Sequence, residues 1–233
     1  MRRLSLLTLV AALLAATALP GTAPAGSTEM WHVKITNLTT GPIEAKGQPM
    51  SPPLWAVHDR KIEMWSVGEL ASSGMLPIVE DALNAPFEAY LDSNRHVREA
   101  RTETGSPPAA TPGPIPPGGT REFDVTSQGD DEYLSMAWML VRSNDAFTGL
   151  DSYELDGRKG KTKTLMLRAY DGGTENNNES CATHIPGPPC SKPFVRDPSA
   201  QAIAPHPGLT PGGALAAYAW TNPVAKVQIT RTH

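Results

Sequence analysis

Trp31, Val33 and Ile35 alternate with His32, Lys34 and Thr36, a period of two that predicts a half-buried strand early in the chain. The alternation returns in 121–126 with Phe123 and Val125 inward, and in 133–141 with Leu134, Met136, Trp138 and Leu140 on one face. It appears again in 164–170 and in 224–230, where Ala225, Val227 and Ile229 oppose Lys226, Gln228 and Thr230. Around 51–58 a further extended segment carries Pro52 and Pro53 at its entry, as an edge or a strand start tolerates. Between 68 and 94 the period changes. Met75, Ile78, Val79, Leu83, Phe87 and Leu91 fall at three- and four-residue spacings, which predicts one or two short helices broken by Pro77 and Pro86. Strands separated by Gly/Pro turns, with little helix, predict a mainly all-β antiparallel sandwich with long loops.

Composition sharpens this picture in three places. Pro107, Pro108, Pro112, Pro114, Pro116 and Pro117 crowd into 105–119 with four glycines, so that stretch is an exposed connector, read as a long loop inside one domain spanning 26–233. Arg2 and Arg3 precede an apolar run from Leu4 to Leu19 and small residues up to Ala25, the layout of a secretory signal peptide over 1–25. Cleavage after Ala25 or after Ala18 fits the small-residue rule and predicts a secreted product, extracellular or periplasmic. No second apolar stretch is long enough to span a bilayer, so no membrane insertion is expected after cleavage. Without Arg2 and Arg3 the balance of 20 basic against 24 acidic residues becomes 18 against 24, a charge of −6, which disfavours a nucleic-acid partner.

Cys181 and Cys190 are the two cysteines, and in an oxidising compartment a disulfide between them is the default. The alternative is a zinc site from Cys181, His184, Cys190 and His206, whose spacing matches no paired CxxC pattern. More informative are two carboxylate-rich strand exits, Asn144-Asp145-Ala146-Phe147-Thr148-Gly149-Leu150-Asp151-Ser152 and Tyr170-Asp171-Gly172-Gly173-Thr174-Glu175. Gly172 and Gly173 let the backbone turn sharply, so Asp171 and Glu175 are free to face one centre. With Asp145 from the neighbouring strand end, three oxygen donors converge, which is the ligand chemistry of Ca²⁺. The competing reading makes each acid a turn residue.

These residues resemble a known family. Asn144-Asp145 through Phe147, Gly149-Leu150-Asp151-Ser152, Tyr170 to Glu175 and the closing Trp220-Thr221-Asn222-Pro223-Val224-Ala225-Lys226-Val227 are similar to the spondin N-terminal domain, especially its stand-alone secreted bacterial members. Val33-Lys34-Ile35-Thr36-Asn37-Leu38-Thr39, Ser51-Pro52-Pro53 and His58-Asp59 fit the same pattern, so the resemblance runs from about Met30 to Arg231. It implies a C2-like β-sandwich that holds calcium at loop ends, in a family whose animal members act in extracellular matrix and adhesion. By motif the metal-binding acids fall on Asp145, Asp171 and Glu175, the last usually Asp in animal proteins. Asp151 is a further candidate, as a turn residue or an outer partner of the ligands.

The leading expectation is therefore a secreted calcium-binding module for extracellular recognition or adhesion, non-enzymatic, with an extracellular protein or glycan as partner. A secreted hydrolase using His58 and Asp59 is the first alternative, although no Gly-x-Ser-x-Gly or His-Glu-x-x-His motif supports it. A polyanion-binding surface from Arg158, Lys159, Lys161 and Lys163 is the second. Trp55, Trp65, Trp138 and Trp220 lie in apolar stretches and are expected to anchor the core rather than line a carbohydrate platform.

Overall fold

The computed structural model describes residues 27–39, 47–105, 113–129, 131–184, 190, 195–210 and 212–233. The proposed signal peptide lies outside these residues, as do 106–112 of the proline-rich connector.

Among the described residues ten strands and two α-helices follow in the order β1 (Glu29–Asn37), β2 (Leu54–His58), α1 (Met75–Asp81), α2 (Ala85–Asp92), β3 (Val97–Thr102), β4 (Thr120–Ser127), β5 (Tyr133–Met139), β6 (Ala146–Glu154), β7 (Thr162–Leu167), β8 (Tyr170–Asp171), β9 (Ala204–Pro205) and β10 (Ala225–Arg231), with a 3-10 turn at Ala216–Tyr218 before the last strand. They form a four-stranded sheet in the order β4-β1-β10-β7 and a six-stranded sheet in the order β3-β2-β5-β6-β8-β9. The pairings are antiparallel, and the expected all-β sandwich is what the chain builds.

Two cores share the six-stranded sheet. Between the sheets, Trp31, Val33 and Ile35 of β1 and Val227 and Ile229 of β10 pack against Leu134, Met136 and Trp138 of β5. On the sheet's other face Leu54 and Ala56 of β2, Ala137 of β5 and Phe147 of β6 meet Met75, Ile78 and Val79 of α1 and Phe87 and Leu91 of α2. All four expected tryptophan anchors, Trp55, Trp65, Trp138 and Trp220, are buried.

Two expectations need correcting. Pro77 and Pro86 do not break helices. Pro77 is the third residue of α1 and Pro86 the second of α2, positions in the first turn where a backbone N–H would have no helical partner. Residues 144–152, expected as a loop, mostly form β6, whose first five positions are all buried because the strand is covered on both faces. A strand buried on both sides loses the alternation that would reveal it.

Candidate functional site

The site sits where β5 turns into β6 and where β8 leaves the sheet. Ser143 Oγ donates to the Leu140 carbonyl at 2.6 Å and accepts from the Ala146 N–H at 3.0 Å, closing the turn that delivers Asp145 to the head of β6. One residue later Ala146 stands opposite Asp171 in the β6–β8 ladder, so the two carboxylates come from neighbouring strands at the same level of the sheet.

Asp145 is fully buried. Its Oδ2 accepts from the Thr174 N–H at 2.7 Å, the Glu175 N–H at 3.0 Å and the Thr174 hydroxyl at 3.2 Å. Its Oδ1 is buried with no hydrogen-bond partner among the described residues. A bare carboxylate oxygen away from water is costly unless a proton or cation meets it. Burial first, and the neighbouring charge of Asp171 second, push the Asp145 carboxyl up to about 7 against the opposing backbone hydrogen bonds.

Asp171 accepts the Gly173 N–H at 2.8 Å and the side-chain amide of Asn177. The turn that follows depends on its glycines. A Cβ on Gly172 would lie 2.9 Å from Val79 Cγ2 and 3.0 Å from the Asp145 carbonyl. Gly173 has φ +70° and its Cβ would lie 2.2 Å from the Gln201 carbonyl. Segment 197–201 clamps this loop through Asn176 N–H to Asp197 O, Ser199 N–H to Thr174 O and Gln201 N–H to Gly173 O, at 2.9, 2.7 and 2.9 Å.

Glu175 contributes its backbone to Asp145 and sends its side chain elsewhere. Its buried carboxylate accepts from Arg196 at 3.0 Å, and the same guanidinium pairs with Asp81 and reaches Glu80 at 3.4 Å. Burial raises the Glu175 carboxyl, and Arg196 partly offsets it. Among the described residues no three His, Cys, Asp or Glu side chains stand together closely enough to hold a metal. Asp151, six residues along β6 from Asp145 and so roughly 20 Å away at strand rise, accepts from Ser66 Oγ at 2.8 Å and does not join the site. The structure brings together Asp145, Asp171 and the Glu175 backbone. Arg196 escaped sequence reading because it is 21 residues from Glu175 and 115 from Asp81, with no local pattern linking them.

Cys181 and Cys190 form the expected disulfide, which removes both thiolates from the alternative zinc set; His184 and His206 are both buried. His58 and Asp59 do not form a His–carboxylate pair. His58 is fully buried, with Nδ1 donating to the Asp59 carbonyl at 2.7 Å and Nε2 facing Ser135 Oγ at 2.8 Å, while the Asp59 carboxylate pairs with His96. Arg158, Lys159, Lys161 and Lys163 are exposed and carry no ion pair among the described residues.

A family model described as Spondin_N matches residues 43–193, well over half of the 233. The chain belongs to the Spondin_N family. No curated protein matches it. The Spondin_N match takes in Asp145, Asp171, Glu175 and both cysteines, and stops three residues short of Arg196. Membership of Spondin_N together with the Cys181–Cys190 disulfide marks an extracellular type of module.

Proposed function

We propose that this Spondin_N chain is a secreted calcium-binding module for extracellular recognition or adhesion, and that it works by binding rather than by catalysis. The observation that carries the reading is Asp145 Oδ1, a buried carboxylate oxygen with no partner among the described residues, set beside the like charge of Asp171. A hard divalent cation suits that arrangement: it takes oxygen ligands, tolerates irregular loops and cancels the repulsion between the two acids. Asp145 and Asp171 would hold the ion, with Glu175 as the third acid. When bound, the ion supplies charge neutralisation and rigidity to the loops at 141–145 and 171–176, and so prepares the face that meets a protein or glycan partner. The non-enzymatic side of the reading draws on His58, whose two nitrogens are both engaged inside the core.

The test is the thermal midpoint of the secreted chain in EGTA and in 10 mM Ca²⁺. A site with Kd of ~10⁻⁴ M is stabilised by about 2.7 kcal/mol there, roughly 5–10 °C for a domain of this size. Asp145→Asn should abolish the rise. A wild-type midpoint that ignores calcium would sink the reading.

A further inference from the structure

Asp145 and Asp171 have no ion pair among the described residues, whereas the carboxylate of Glu175 is held by Arg196. The Glu175 main chain is already at the site, since its N–H donates to Asp145 Oδ2. Only the side chain is turned away, toward a guanidinium that it shares with Glu80 and Asp81 of α1. We infer that Arg196 is a built-in competitor for the calcium site: it keeps Glu175 out of the Asp145–Asp171 pair and thereby sets the metal affinity. The inference rests on the calcium reading above.

Three observations support a competing cation over a simple staple. Glu175 is buried with a single cationic partner described, so its charge must be matched either by Arg196 or by something else in reach. Arg196 can give Glu175 up without being stranded, because Asp81 and Glu80 remain on the same guanidinium. The segment bearing Arg196 does not depend on the ion pair for its place, because Asp197, Ser199 and Gln201 are bonded through their main chains to the 173–176 loop. For Glu175 to join Asp145 and Asp171, its carboxylate must first leave Arg196, and that exchange is subtracted from the binding free energy.

Calorimetric titration with CaCl₂ of the wild type, Arg196→Gln, Glu175→Gln and the double variant tests this. Arg196→Gln should bind about tenfold tighter, because hydrogen bonds to a charged group are worth at least about that factor. Glu175→Gln should bind about tenfold more weakly, and the double variant should match Glu175→Gln alone, the signature of two residues acting as one unit. Arg196→Lys, which keeps the charge and loses the fork, should fall between wild type and Arg196→Gln, and it carries the comparison if the glutamine variant does not fold. A wild type that binds with Arg196→Gln unchanged or weaker overturns the competitor and leaves the calcium reading standing. An equal gain from Arg196→Gln with and without Glu175 also overturns it, since the arginine would then act only as a nearby positive charge. Silence from wild type and Arg196→Gln alike brings down both.

Discussion

Asp145 holds its proton late because its two oxygens live in different surroundings, one bonded three times and the other buried and bare. In the folded chain it titrates at about 7, against about 3.9 when unfolded. Between those values the native state keeps a proton that the unfolded state has released, so metal-free stability falls as pH rises through the window, and the whole cost is present above about 7. Burial lowers His58, His184 and His206, which has the opposite slope, taking stability away as pH drops below about 6.5. The difference between wild type and Asp145→Asn therefore isolates the carboxyl. In EGTA the variant should gain on the wild type by roughly 2–3 kcal/mol from pH 5 to pH 8, read by urea unfolding at each pH, and a flat difference would contradict the assignment. At this scale the acids were legible, because Asp145 and Asp171 follow apolar strands and Asp171 is followed by two glycines. The direction of the Glu175 side chain was not, because it is decided by an arginine on a distant segment.

Among elements, the loop from Asp171 to Glu175 combines a close backbone approach with left-handed backbone space. Gly173 occupies left-handed backbone space and faces the Gln201 carbonyl so closely that a methyl group has no room. Gly173→Ala should cost at least about 3 kcal/mol, combining backbone strain with overpacking, and should erase the calcium response along with it, both visible in one thermal melt series with and without the ion. The strands that alternate, such as β1, β4 and β10, were legible from period alone. β6 was not, since α1 and the Trp65 ring pack on its second face and leave Phe147 as buried as Ala146. Pro77 and Pro86 misled in the opposite sense: a proline marks a helix start as readily as a helix end, and the distinction lies in residues before it that carry no strong signal.

At the scale of the whole molecule, the Spondin_N match covers 43–193 and so omits β1 and β10. Those two strands are the middle of the four-stranded sheet, with β10 bonded to both β1 and β7 and β1 bonded to β4. A fragment of 43–193 should lack a cooperative unfolding transition and a dispersed amide NMR spectrum, because β4 and β7 would lose the strands that join them and the core would lose Trp31, Val33, Ile35, Val227 and Ile229. A fragment that melts as sharply as the full chain would show that the family segment is self-sufficient.

The register of β1 against β10 places Trp31 beside Arg231, and Met30 exchanges main-chain hydrogen bonds with Thr232 and His233. The opposite end of the same ladder pairs Asn37 with Ala225 and Ala225 with Leu167, four residues before Asp171. Both ends of the folded body therefore leave from one pole of the sandwich, and the carboxylate loops crown the other. Anything attached at either end, whether a tether, a further module or a solid support, holds the chain like a stalk and turns the Asp145 pole outward, toward whatever approaches from solution.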